Sequence, residues 1–331
     1  MVAFGILGCG RIAARFAKAL EKSDRGTLAA CAARDRARAE DFAARFGCRA
    51  CDSYEALLAD PAVEAVYIAT VHSAHAALTR AAIGAGKAVL CEKPFFVSAA
   101  EGRELAALAR EKGVLLMEGF WTRTQPAYQK AVQWLREGKI GAPRLIRAAF
   151  CFHLPFNDAT RGHRLFDPAT AGGALWDAGV YPYQFATGLM GEPPVETRSL
   201  VTWAPSGVDL SAGMTLRFRN GVLADLLCSI GGVLDNTGII SGSEGYITLD
   251  YIPGPRRAAL YTGQNETAEL FEDPETEGFV HEIAHFAGLV ESGRIESDIN
   301  PLSLTLDFTE RAESILAEAR RGAVQDNSHD F

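Results

Sequence analysis

Four sets of residues in this 331-residue chain have types and spacings that can do chemistry. His281-Glu282-x-x-His285, in "VHEIAHF", matches H-E-x-x-H, by which a helix can present two zinc ligands and a general base. Gly8-x-Gly10-x-x-Ala13, in "GILGCGRIAARF", fits G-x-G-x-x-G/A, a turn that lets a pyrophosphate approach the backbone at a helix N-terminus. Glu92-Lys93-Pro94, in "VLCEKPF", sets an amine at the end of an apolar run. Asp177 and Tyr181, in "GGALWDAGVYP", are four residues apart and share one face of a helix, where they can orient and exchange a proton.

The first pattern is tested on a helical wheel at about 100° per residue. Phe279, Ile283, Phe286, Ala287 and Val290 fall on one face, and His281 and His285 on the opposite one, which reads as a solvent face. Glu291, Glu296 and Glu310 lie downstream without a supporting motif for a third ligand. The expectation is no metal and no protease. Cys48 and Cys51 form a lone C-x-x-C with no second pair at zinc-ribbon spacing, and read as small half-buried side chains.

Composition sets the outer bounds. Length suggests two domains. Hydrophobic residues at 48% and charged residues at 22% suit a chain with a sizeable core. A formal charge of −8 argues against a nucleic-acid partner. No apolar run is long enough to span a bilayer, so no membrane partner is expected. "MVAFGILGCGRIA" reads as a strand and not a signal peptide. Seven cysteines without a disulfide rhythm suggest a reduced, cytoplasmic setting.

The elements that must position these residues alternate over 2–118. "VAFGIL", "TLAACAA", "VEAVYIAT", "KAVLCE" and "VLLME" read as strands between helical stretches, with Gly47 ending one helix and Ser53 capping the next. That rhythm predicts a doubly wound parallel α/β sheet, with the Gly8–Gly10 turn after its first strand. The second strand ends in Ala33-Arg34-Asp35. A small residue where an acid would read the ribose, followed by Arg34, favours a 2′-phosphate and hence NADP; Asp35 keeps NAD open. In the second half, "PRLIRAAFCFHL", "VETRSLVTWA", "GMTLRFR", "VLADLLCSI" and "GYITLDYI" have strand character. Asn220-Gly221 is a hairpin turn signal, and Met214, Leu216 and Phe218 alternate with polar residues.

"GILGCGRIA", "VLCEKPF" and "GGALWDAGVYP" together resemble the glucose–fructose oxidoreductase/inositol dehydrogenase family. "AARD", the run from Thr70 through His72 to His75, "LMEGFWTR", "GVYPYQF" and "SGSEG" look like its branch of dimeric dihydrodiol dehydrogenases and NADP-dependent D-xylose dehydrogenases. The resemblance covers essentially the whole chain. It implies a Rossmann domain over 1–120 and an α+β domain with a large open, mostly antiparallel sheet over 121–331, with the last helix, 301–321, packing back on the first. It also implies an enzyme that moves a hydride between NADP(H) and a hydroxyl or carbonyl of a sugar or cyclic trans-diol. The alternatives are a reductase of a keto- or anhydro-sugar and a non-catalytic nucleotide sensor. Family members associate through the outward sheet face, which implies a homodimer or higher homo-oligomer.

The resemblance carries roles onto matching positions. Lys93 is implied to be catalytic, with Pro94 after a cis peptide bond. Tyr181 stands where much of the family has a histidine, and is the proton-transfer candidate, its phenol tuned by Lys93; Asp177 would orient a substrate hydroxyl or Lys93. Gly8, Gly10, Arg11, Ile12, Arg34, Thr70, His72, Glu92 and Lys93 are expected at the cofactor, with His75 either there or capping the next helix. Trp121, Arg123 and His153 are expected at the substrate. Phe150 lies on the face of its strand opposite to His153, so the two cannot point to the same side.

Overall fold

A computed structural model of the chain describes residues 1–263 and 266–326. Its first half runs β1 (Val2–Leu7), α1 (Arg11–Lys22), β2 (Gly26–Ala32), α2 (Arg36–Phe46), β3 (Arg49–Ala50), α3 (Tyr54–Leu58), β4 (Ala65–Ile68), α4 (His75–Gly84), β5 (Ala88–Glu92), α5 (Ala99–Lys112) and β6 (Leu116–Gly119). The rest runs α6 (Pro126–Arg136), β7 (Pro143–Cys151), α7 (Val180–Met190), β8 (Glu196–Trp203), β9 (Asp209–Arg217), β10 (Leu223–Ser229), β11 (Gly238–Gly242), β12 (Gly245–Leu249), β13 (Arg257–Thr262), β14 (Glu266–Glu272), α8 (Phe279–Glu291) and α9 (Leu302–Asp326).

In the first unit, six strands pair in the order β3-β2-β1-β4-β5-β6, all parallel. Helices cover both faces, so a strand such as β4, "AVYI", is buried at every position. One core cluster holds Phe4, Phe16, Tyr67 and Phe286; the other holds Leu57, Ile68, Phe95 and Leu105. The local signals sit where the sequence put them. Gly47 ends α2 at φ 66°, and the Ser53 hydroxyl accepts from the Ala56 N–H at 3.1 Å.

The division into units differs from a single cut near residue 120. The first unit is Met1–Thr124 together with Glu277–Leu306, and the second is Gln125–Thr276 with the chain from Asp307 onward. What returns to the Rossmann unit is α8 together with the start of α9, where Leu302 joins the core and the Thr305 hydroxyl donates to Glu118; α9 from Asp307 onward belongs to the second. The reason lies in the apolar stripe of α8. Phe286 meets Phe4 at 5.8 Å between ring centroids, and Phe279 meets Phe16 at 6.2 Å.

The second unit is built on eight strands in the order β14-β13-β12-β11-β7-β10-β9-β8. Only β7 and β10 pair in parallel; the other neighbours are antiparallel. Met214, Leu216 and Phe218 are buried, as their alternation requires. Asn220-Gly221 turns β9 into β10 with Gly221 at φ 84°. Helix α7 packs on β7 and β10, which explains why it is apolar nearly all round. The other face leaves Leu145, Leu200, Leu223 and Leu227 exposed.

Candidate active site

The sheet order of the first unit reverses between β1 and β4, and ligands of such sheets bind outside the carboxyl ends of the strands at that point. Gly8 follows β1 at φ 99°, where a Cβ would press on the Ala69 carbonyl and the Thr70 side chain at 2.8 Å. A Cβ at Gly10 would meet nothing within 4 Å. Gly10 begins α1 without a side-chain cap, so the first N–H groups of the helix, at Arg11 and Ile12, face that open space. This glycine cradle fits a dinucleotide pyrophosphate.

The residues past the end of β2 bear on which dinucleotide such a fold holds. Asp35, which keeps NAD open, caps α2 with one oxygen, Oδ1, accepting from the Ala37 N–H at 3.0 Å and the Arg38 N–H at 3.5 Å. Arg34 is exposed just past β2. A groove of about 800 Å³ runs beside the cradle, lined by Cys9, Gly10, Arg11 and Arg38 among others. The Cys9 thiol is held below its ordinary value, first by its hydrogen bond with Cys31 and in part by the Arg38 charge. Sequence reading missed Arg38. Arg38 lies in the first turn of α2, which lines the same groove as Gly10.

At the end of β5 the Lys93-Pro94 peptide bond is cis, as expected. Lys93 is half-buried, and its backbone N–H donates to the Glu92 carboxylate at 3.1 Å. The other Glu92 oxygen accepts from the Tyr67 hydroxyl. Burial raises the Glu92 carboxyl above its ordinary range, against the Tyr67 hydrogen bond and the Lys93 charge. Expected at the cofactor, Glu92 instead turns inward and anchors the turn. His75 also serves this turn. Fully buried, its Nδ1 lies 2.9 Å from the Pro94 carbonyl, and desolvation pushes its pKa down to about 4, so the ring is neutral. His72 is buried with its ring 5.9 Å from that of His75, and Thr70 sits at the mouth of β4.

Of the residues expected at the substrate, two are held within the first unit. Trp121 stacks on Phe279 at 5.1 Å with the Arg15 guanidinium 4.7 Å above its ring. Arg123 is buried over Phe120.

In the second unit, Asp177 and Tyr181 are both buried, but the helix between them is not regular. Leu175–Gly179 is a π-turn, with α7 continuing from Val180. The shared-face argument assumed 3.6 residues per turn, and the wider π-turn changes that phase. Asp177 accepts from Arg164 Nη2 at 3.0 Å, a partner that the sequence did not point to. Phe150 brings its edge to Tyr181 at 5.0 Å between centroids. Of the strand's two candidates, Phe150 is therefore the one that reaches Tyr181. His153 lies beyond the end of β7, exposed, with its Nδ1 3.1 Å from the Gly231 carbonyl.

The H-E-x-x-H stretch forms a helix but aims its residues apart. Glu282 points into the core and is fully buried, whereas His281 and His285 are half-buried. The histidines are thus not on an open solvent face, since His285 Nε2 meets the Ser297 hydroxyl at 2.7 Å. A zinc site would need the two histidines and the glutamate aimed at one cleft.

Comparison with known proteins agrees with this architecture. Residues 2–120 match the family described as "Oxidoreductase family, NAD-binding Rossmann fold", and residues 128–248 match the "GFO/IDH/MocA C-terminal domain". The chain is 35% identical to mouse trans-1,2-dihydrobenzene-1,2-diol dehydrogenase over 96% of both chains, and 36% identical to the bovine enzyme at the same coverage. A 3-ketoreductase from Actinomadura kijaniata, solved with NADP and TDP-benzene, superposes with a TM-score of 0.84 at 30% identity over 96% of this chain and 97% of that one. Aldose-aldose oxidoreductase from Caulobacter crescentus shares the fold, with a TM-score of 0.86 at 24% identity over 97% and 98% of the two chains. Sequence, sheet topology and glycine cradle converge, and the chain belongs to the Gfo/Idh/MocA family of NAD(P)-dependent oxidoreductases.

Proposed function

We propose that this protein moves a hydride between NADP(H) and a carbon bearing a hydroxyl or carbonyl group in a sugar or cyclic trans-diol. The observation that carries the reading is the carboxyl edge of the parallel sheet, where the open Gly10 cradle and Lys93 occur together. When bound, the nicotinamide supplies or takes the hydride. Arg34 and Arg38 receive the 2′-phosphate, which the capping role of Asp35 supports by turning one oxygen of the nearby acid toward α2. Lys93, held by Glu92 beneath it, offers its ammonium to the substrate oxygen. Tyr181 exchanges the proton of that oxygen, and the Arg164–Asp177 pair orients the remaining hydroxyls. The A. kijaniata relative, a 3-ketoreductase, favours reduction as the working direction.

Two further assignments go with this reading. Four exposed leucines on the outer sheet face, flanked by the Arg217–Glu196 ion pair, support a homodimer through that face. Seven free thiols support a reducing compartment such as the cytoplasm.

The test follows reduced-nicotinamide absorbance while the protein meets NADP(H) or NAD(H) with aldoses, keto-sugars, inositols and cyclic trans-diols. Turnover of one class with preference for NADP(H) is expected. Tight NADPH binding with no turnover across the panel would instead support the nucleotide-sensing alternative. Light scattering should give twice the monomer mass, and Leu200→Asp should halve it.

A further inference from the structure

The π-turn carrying Asp177 opens the helix that α7 continues, with only Ala174 ahead of it after the bend at Gly173, so its first residues must be held against relaxing into an ordinary α-turn. The structure offers one group for this. Asp209, the first residue of β9 and 2% exposed, is 34 residues along the chain from Leu175. Its Oδ2 accepts from the Leu175 N–H at 2.5 Å, and the Ala174 N–H also points at its carboxylate. These are orphan donors at the start of a helical segment, where a negative charge is favoured. The chain is built to admit that carboxylate. Gly173 sits at φ 111°, and a Cβ there would collide with Asp209 Oδ1. From below, Gly179 closes on Cys228, whose Sγ would lie 3.1 Å from an added Cβ.

We propose that Asp209 is a positioning residue: by pinning the Leu175 N–H it keeps the π-turn in place, and so fixes the angular setting of Asp177 relative to Tyr181. A π-turn holds one residue more than an α-turn, so its loss would rotate the residues ahead of it by about 100° relative to those behind. Asp177 lies within the turn and Tyr181 behind it.

This inference rests on the proposed roles of Asp177 and Tyr181 for its consequence in turnover, but not for the pin itself. Burial pushes the Asp209 carboxyl up to about 6, opposed by the Leu175 N–H, its own N–H, the Arg320 charge from α9 and the Ala174 N–H. Cys228 on β10 also faces this carboxyl, and the Arg164–Asp177 pair is held on the same π-turn. Above about pH 6 the pin is therefore charged and at full strength, and acid weakens it.

The experiment uses Trp176, which lies inside the π-turn and is buried against Phe308. The full chain is labelled with fluorotryptophan, and the Trp176 fluorine signal is assigned through Trp176→Phe. Asp209→Asn should shift or split that signal while those of Trp121 and Trp134 stay; Trp203 pairs with Asp209 across the sheet and is no control. NADPH affinity should hold, and kcat should fall about 10–100-fold, as expected for a small misplacement of reacting groups. In the wild type the Trp176 signal should titrate near pH 6 alongside an acid limb in kcat, and both should vanish in Asp209→Asn. An unmoved Trp176 signal in that variant overturns the pin. A moved signal with unchanged kcat overturns its consequence for Asp177 and Tyr181. If the wild type turns over nothing, the functional reading fails while the fluorine signal still decides on the pin. Should Asp209→Asn not fold, the wild-type titration stands alone, and a Trp176 signal flat between about pH 5 and 7 overturns the inference.

Discussion

The carboxyl edge of the Rossmann sheet and the helix behind the second sheet handle their polar groups in opposite ways. At the first, side chains are small or turned inward. Gly8 and Gly10 leave space, Asp35 and His75 are consumed by caps and carbonyls, and Glu92 anchors a turn. What remains for a ligand is backbone N–H and exposed arginine. At the second, Asp177 in the irregular turn and Tyr181 just behind it are large and buried, with specific partners in Arg164 and Phe150. On the proposed reading, the first region binds and the second positions reactive groups. Lys93 crosses that division, a reactive group on the binding side.

The largest effect should come from breaking the second region alone. Tyr181→Phe removes only the phenolic oxygen, which leaves the packing against Phe150 in place. General acid–base contributions of about 10²–10⁴-fold set the expected loss in kcat. NADPH affinity, measured by fluorescence quenching, should change less than about twofold. Wild-type kcat in this variant would remove Tyr181 from the chemistry and leave Lys93 as the proton carrier.

The converse variants break binding without touching chemistry. Arg38→Ala and Arg34→Ala should each weaken NADPH about tenfold, the lower end expected for a charge-assisted hydrogen bond to an exposed group. NADH affinity should stay level, as should kcat at saturating cofactor. Equal losses for both nucleotides would mean the arginines serve the pyrophosphate, and the 2′-phosphate assignment would fall.

How legible these regions were in the sequence follows from the same contrast. A glycine turn is a local device: Gly8, Gly10 and Ala13 require only their neighbours in the chain, so the pattern could be read directly. So could Asn220-Gly221 and Ser53, whereas the cis Lys93-Pro94 bond came only through the resemblance. The phase of Asp177 against Tyr181 could not, because an extra residue in a helical turn leaves no mark on residue spacing. Arg164 and Asp209 reach that turn from other elements, and only the assembled sheet brings them there. Glu282 was invisible for a related reason: the wheel placed the apolar residues of α8 but gave no weight to a carboxyl group on the buried side. Strands β13 and β14 were missed because "RAALYT" and "ETAELFE" carry no continuous alternation.

A subtler prediction concerns His75, the buried link between α4 and the Lys93 turn. Its folded pKa of about 4 lies below the ordinary histidine value, so the unfolded chain takes up a proton that the folded chain refuses. Stability should be intact above about pH 6.5 and fall as the pH drops toward about 4. Gln cannot be protonated, yet it can still donate toward the Pro94 carbonyl. His75→Gln should therefore flatten the decline of Tm across that window, at the cost of a lower Tm at pH 8. A decline of unchanged slope would assign the acid lability to other groups.

The smallest effect sharpens the contrast furthest. Asp35 sits within reach of the nucleotide by sequence, yet both of its hydrogen bonds go to the N-terminus of α2. If that is its whole task, Asp35→Ala removes an N-cap worth about 1 kcal/mol and lowers Tm by about 2–4 °C. The ratio of NADP to NAD affinity should not move, because the arginines and not this carboxylate meet the ribose. Asp35→Asn keeps a capping oxygen and should recover most of the Tm. A fall in NAD affinity in both variants would put the carboxylate on the ribose hydroxyl. It would also show that the binding edge, like the catalytic helix, uses a charged side chain for recognition as well as for the fold.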